Sequence, residues 1–168
     1  GQFYAGREAP LLDQIESAFE HPIGPGTVPT GATGADVPAG LISPHAGYPY
    51  SGPVAAHGFA RLANGGRPEA VIIVGPNHSG HGEPIAISEA DDWETPLGTV
   101  PVHDGIRDEL SGDAGLTLDE SSHGAEHSLE VQVPFLQILY EEPVPIVPIV
   151  MTHQEAGTVH QLVNALTR

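Results

Sequence analysis

The run Ala70, Val71, Ile72, Ile73, Val74 constrains this chain more than any other stretch, because it is apolar at every position and β-branched at four of them. A strand with no polar face has to be covered on both sides, which is the setting of parallel sheets in α/β proteins. Gly75-Pro76-Asn77-His78 follows at once, so the strand ends in a tight corner that carries an imidazole. A similar corner comes earlier, where Ala39 to Ser43 reads as a short apolar strand leading into Pro44-His45-Ala46-Gly47. Between them the sequence predicts a helix, with Ser51 as cap, Pro53 in the first turn and an inner face of Val54, Phe59 and Leu62. Strand, helix and strand within about 35 residues predict a parallel βαβ unit.

The other segments are read the same way. Leu11, Leu12, Ile15 and Phe19 recur at helical spacing over residues 8–20, and the glycines and prolines of residues 22–38 mark a flexible loop. Residues 84–102 read as a hairpin-like excursion, with Ile85 and Ile87 alternating and Trp93 to Gly98 turning toward Val100 and Val102. Ile106 to Leu110 predicts a short helix. Leu129, Val133, Leu136 and Tyr140 give a helical face over residues 127–140, which Pro134 must kink or delay beyond Ser128. Val144 to Val150 reads as a strand whose Pro145 and Pro148 point to an edge or irregular pairing. Val159, Leu162, Val163 and Leu166 define a last helix. The class is α/β, a mainly parallel sheet flanked by helices, and 168 residues suit a single domain over residues 1–168.

Charge narrows the partners. There are 22 acidic residues against five arginines and no lysine, a formal net charge of −17. Nucleic acid and anionic membrane surfaces are both bound through basic side chains and are excluded as partners. An acidic, lysine-free surface around a chain that is 39% hydrophobic reads as adaptation to high salt, where screening suppresses self-repulsion. The lack of cysteine removes disulfides and thiolate chemistry together. No apolar run approaches the ~20 residues needed to cross a bilayer, so a soluble, cytoplasmic domain is expected. The absent initiator methionine predicts that one or both ends of the natural protein are missing.

In an open parallel sheet, ligands bind at the carboxyl ends of the strands. His45 lies two residues past Ser43 and His78 four past Val74. With strands ~4.8 Å apart, both imidazoles are within reach of one ion. A third candidate is His127, in Glu126-His127-Ser128-Leu129-Glu130, where Glu126 either orients an imidazole, acts as acid or base, or is a solvated group near a helix start. His123-Gly124-Ala125-Glu126-His127 also matches H-x-x-E-H, the inverted zinc-peptidase signature, although Gly124 disfavours the helix that signature needs. Tyr48 and Tyr50 are candidates for a phenol or an aromatic wall in the crevice, His81 reads as a solvent-exposed loop residue, and no phosphate loop, dinucleotide fingerprint or nucleophile elbow is present.

Taken together, Gly1-Gln2-Phe3-Tyr4, Pro44 to Gly52, Ala55-Ala56-His57, Gly75 to His78, Trp93 to Gly98 and Glu126 to Phe135 resemble the Memo family, mediators of cell motility in animals and component B of the AmmeMemoRadiSam system in prokaryotes. The acidic composition makes a haloarchaeal member the expectation. The resemblance implies a fold similar to class III extradiol dioxygenases, which hold a non-haem iron with histidines and a carboxylate. It assigns His45 and His78 as metal ligands and His127 as the histidine that completes the pocket, as ligand or proton donor beside Glu126. It implies a divalent metal, Fe(II) first, with Zn and Cu as alternatives. It also implies a C-terminal segment, the source of a cysteine ligand in animal proteins, that nothing in this sequence matches. Two functions follow: a non-haem iron redox enzyme acting on a small molecule, and a non-catalytic module that binds metal or peptide in the same pocket. An H-x-x-E-H zinc peptidase is a third.

The charge reading has a direct test. Thermal melting in low and in molar potassium chloride is expected to show a clearly higher midpoint at molar salt, because −17 on so small a domain repels itself when unscreened. An unchanged midpoint contradicts adaptation to salt.

Overall fold

A computed structural model describes residues 1–29, 38–112 and 114–167. In chain order the elements are α1 (Glu8–Glu20), α2 (Tyr48–Gly65), β1 (Val71–Pro76), β2 (Ile85–Ile87), β3 (Asp92–Thr95), β4 (Gly98–Pro101), α3 (Asp104–Gly112), β5 (Thr117–Leu118), α4 (Val133–Leu139), β6 (Ile146–Met151) and α5 (Ala156–Leu166), with 3₁₀ turns at Glu120–Ser122 and Glu130–Gln132. They divide into two compact units, one of Gly1–Glu69, Glu94–Val100 and Glu130–Val144, the other of Ala70–Trp93, Pro101–Leu129 and Pro145–Arg168. The class is the predicted one, α/β with a mostly parallel sheet flanked by helices. Among the described residues no helix is long and apolar enough to cross a membrane.

The first unit is helical and centres on Phe135 of α4. The rings of Phe19, Tyr48 and Phe59 lie 5.9, 4.9 and 4.9 Å from it, the last stacked at 2°. Offset and tilted ring pairs of this kind add to the area they bury. The three buried phenols are satisfied: Tyr48 donates to the Val131 carbonyl at 2.8 Å, Tyr140 to the Gly66 carbonyl at 3.2 Å, and Tyr4 to the Glu130 carboxylate. Helix α1 has the predicted bounds and buries Leu11, Ile15 and Phe19, while Leu12 stays 42% exposed.

Helix α2 starts one turn before the predicted place. Pro49 occupies the first turn, where no backbone N–H is required, and Ser51 is helical, its hydroxyl donating to the Ala46 carbonyl at 2.9 Å. The buried face is therefore Ala55, Ala56, Phe59 and Leu62, with Val54 turned outward. Helix α4 begins later than Ser128, with Pro134 in its first turn, as the proline requires. Of the predicted loop over 22–38, residues 30–37 lie outside the described residues.

The predicted strand Ala39–Ser43 does not form. Gly40 and Pro44 weaken a ladder there, and among the described residues the segment has no strand partner. Leu41 lies against α2 instead, 3.3 Å from where a Cβ on Gly58 would stand, and Ile42 is fully exposed. The expected βαβ unit is thus loop, helix, strand, and His45 leaves a loop rather than a strand end.

The second unit carries the sheet, in the order β1-β6-β2-β5, with β1–β6 and β2–β5 parallel and β2–β6 antiparallel. The strand expected at an edge, β6, is central and buried throughout. Pro148 is tolerated because N–H and C=O of one extended residue point the same way. Its carbonyl accepts from Ser88 N at 3.1 Å, so the missing N–H faces the residue at which β2 stops, and the ladder to β1 loses nothing. Conversely β1 is an edge, not a strand covered on both faces: Ile73 is buried, whereas Ile72 and Val74 are 38% and 44% exposed. Val147, Ile149 and Met151 of β6 pack with Ile85 and Ile87 of β2 under Leu110 of α3 and Leu162 and Ala165 of α5. Val159, Val163 and Leu166, predicted inward, are partly exposed. The excursion over 84–102 splits, since β2 joins the sheet while β3 and β4 form a hairpin closed by Gly98 at φ +106°.

Phe135→Ala is expected to lower unfolding stability by about 3–5 kcal/mol, while Tyr50→Ala, 86% exposed, stays within about 0.5 kcal/mol of the parent. Equilibrium urea unfolding checks both.

Candidate metal centre

Two loops of the second unit build the site. After Pro76 the chain leaves β1 and reaches His78; after the 3₁₀ turn Glu120–Ser122 it reaches Glu126 and His127. Their approach depends on Gly75, since a Cβ there would stand 2.8 Å from Ser128 Oγ and 2.9 Å from Leu129 Cδ2. Ser128 Oγ then donates to the Pro76 carbonyl at 2.8 Å and fastens one loop to the other.

At the centre is the Glu126 carboxylate, buried with the side chain 1% exposed. Burying a charge is costly unless hydrogen bonds replace water, and here four donors do so. Oε1 accepts from His78 Nδ1 at 2.9 Å, His127 N at 2.8 Å and Ser128 N at 2.7 Å, and Oε2 accepts from His78 N. Burial alone would raise the pKa of Glu126, but the backbone and ring bonds from His78, with those from Ser128 and His127, outweigh it and bring it down to about 2.

The two imidazoles stack beside this anion, with ring centroids 4.8 Å apart and 23° between planes. His127 Nδ1 is 3.5 Å from the same Oε1. His78, Glu126 and His127 each offer a ligand atom, and these lie within 4.8 Å of one another. An imidazole that donates Nδ1–H to a carboxylate presents its lone pair at Nε2, the arrangement usual for metal-bound histidine. Two imidazoles and a carboxylate form a donor set that suits Fe(II) and is compatible with Zn(II).

Other residues fall elsewhere. His45 is a half-buried residue of the first unit, on the loop before α2, where Gln132 Nε2 donates to the neighbouring Pro44 carbonyl at 3.1 Å. Tyr48 is a packing residue and Tyr50 projects into solvent. His81 is exposed. His123 is a residue whose surroundings the sequence did not reveal: it is buried and edge-on to Trp93 at 5.8 Å. Burial holds its pKa below the usual histidine range against the opposing pull of Glu120, the Ala86 carbonyl, Asp119 and Glu126. Residues 123–125 form a turn and 126–127 are irregular, so the two histidines of H-x-x-E-H are not presented four apart on one helical face.

Because the folded pKa of Glu126 is depressed, the stability it contributes is complete above pH ~4.5 and is lost as pH falls toward about 2. Melting curves of the parent and Glu126→Gln are therefore expected to differ most above pH ~4.5 and to converge below it. A constant difference down to pH ~2 contradicts the network.

Comparison with known proteins identifies the family of the chain. The chain matches the Memo-like protein family over residues 1–168. It is 44% identical to a MEMO1 family protein of Thermotoga petrophila over 100% of this chain and 61% of the relative, and 48% identical to one of Metallosphaera sedula over 92% and 55%. A MEMO1 family protein of Methanopyrus kandleri is 41% identical over 99% of the chain and 59% of its own length. The chain thus spans about three fifths of the length of the curated relatives it matches. It belongs to the Memo-like protein family.

Proposed function

We propose that this chain binds a divalent metal ion, Fe(II) in the first instance, between His78 and His127, with Glu126 holding both imidazoles in place. The observation that carries the reading is that His78 and His127 stack beside the buried Glu126 carboxylate at the carboxyl end of β1, with ligand atoms of the three within 4.8 Å of one another. Family membership supports it, and so does the position, since open α/β sheets take ligands at strand carboxyl ends. His45 is proposed as a further ligand, on the residue-by-residue resemblance to the family's metal histidines. An ion held there would supply Lewis-acid or redox chemistry for a small-molecule substrate, in the manner of the extradiol dioxygenases. The residues themselves would orient the imidazoles and hold a proton at His127 beside the Glu126 carboxylate.

One observation favours the second function, a metal- or peptide-binding module without turnover. A carboxylate has about four acceptor positions, and Glu126 already fills four. To become a ligand it would have to release one of these bonds, so it serves better as the group that orients His78 than as the site's anion.

Anaerobic titration of Fe(II) followed by calorimetry tests binding. One ion per chain is expected, with at least a ~10-fold loss of affinity in His78→Ala and in His127→Ala and a similar loss in His45→Ala. Equal affinity for parent, His78→Ala and His127→Ala overturns the reading. Oxygen uptake by the iron-loaded protein with catechol-like compounds then separates enzyme from binding module.

A further inference from the structure

A buried amide beside the metal centre, not one of its donors, adds a second tie between its two loops. Asn77 sits between β1 and His78 and is 7% exposed. Its backbone N–H continues the ladder, donating to the Met151 carbonyl at 2.9 Å. Its side-chain amide makes six more contacts in two directions. Oδ1 accepts from Ser79 N at 2.9 Å, Ser79 Oγ at 2.7 Å and Gly80 N at 3.3 Å. Nδ2 donates to the His81 carbonyl at 2.7 Å, Thr152 Oγ1 at 3.3 Å and the Ser122 carbonyl at 3.4 Å.

These contacts reach three segments. The oxygen folds the loop Ser79–Gly80 back on itself just beyond His78. The nitrogen ties that loop to Thr152 at the end of β6 and to Ser122, four residues before Glu126. We propose that Asn77 is the positioning residue of the metal centre, fixing the His78 loop against the loop that brings Glu126 and His127. The inference rests on the metal-centre reading for its effect on affinity, and on the hydrogen bonds alone for its effect on the His78 ring.

The side-chain chemistry is demanding. Only a primary amide offers acceptor and donor at this reach. Aspartate has the same shape and keeps the oxygen contacts, but it turns an acceptor toward two carbonyls and a hydroxyl. The two carbonyl contacts are then lost and repelled, and the tie to Ser122 opens. A buried polar tie of this kind should behave as outer-sphere partners of metal sites do, whose loss costs about 10–100-fold in affinity.

The test compares the parent, Asn77→Asp, Asn77→Ala and Gln137→Ala. Gln137 makes comparable amide contacts within the first unit, to Thr95 Oγ1 and the Gly98 carbonyl, and serves as the control. In metal-free protein, nitrogen-15 NMR of the histidine rings reads whether His78 keeps its Nδ1 proton on Glu126. Titration with Co(II) then reads affinity and the visible ligand-field spectrum. Expected for both Asn77 variants are a disturbed His78 ring signal, a ~10–100-fold weaker Co(II) affinity and an altered spectrum, with the control unchanged in all three. A merely structural role would lower the melting midpoint and leave ring signal and spectrum as in the parent, which overturns the proposal. If Asn77→Ala does not fold, the isosteric Asn77→Asp decides. If the parent itself binds no Co(II), the metal-centre reading fails, and Asn77 stands or falls on the His78 ring signal alone.

Discussion

A carboxylate held out of water, with four N–H donors drawn around it, organises the two loops that meet beyond β1 in the second unit. Glu126 cannot be buried as an anion unless those donors are present. Each of them belongs to one of two loops: His78 contributes backbone and ring, and His127 and Ser128 contribute backbone. Satisfying one charge therefore closes one loop on the other. The depressed pKa is the electrostatic trace of that closure, and the stacked histidine rings are its geometric consequence.

The fold supplies the means. Strand β6 lies between β1 and β2, and its side chains are buried along their whole length. It anchors the end of β1 from which the His78 loop departs, through the Asn77 N–H to the Met151 carbonyl and through Thr152 just beyond. Gly75 then permits the 128–129 segment to pass where any side chain would collide. Packing, the absence of a Cβ and one buried charge thus act at three successive positions along β1 and its loop.

Much of this was legible in the residues. Helix α1 came out at its predicted bounds because four apolar positions at helical spacing specify it, and Pro134 delayed α4 as its missing N–H requires. His78, Glu126 and His127 could be singled out because a glycine–proline corner after an apolar strand and a carboxylate beside a histidine are local signals. What escaped was non-local. Pro148 argues for an edge until one knows which way its carbonyl points, and that depends on where β2 ends. Ala39–Ser43 has the composition of a strand, but composition does not provide a ladder partner. The amide network of Asn77 and the burial of His123 against Trp93 join residues far apart in sequence, and no spacing rule reaches them.

The central claim is that His78 and His127 hold one ion through their ring nitrogens while Glu126 orients them. X-ray absorption at the zinc edge, on protein loaded with one equivalent of Zn(II), tests it most directly. The account predicts a nitrogen shell at about 2.0–2.1 Å with outer-shell scattering from at least two imidazoles, reduced by one imidazole in His127→Ala. A shell of oxygen alone, or an imidazole count unchanged by that substitution, would contradict it.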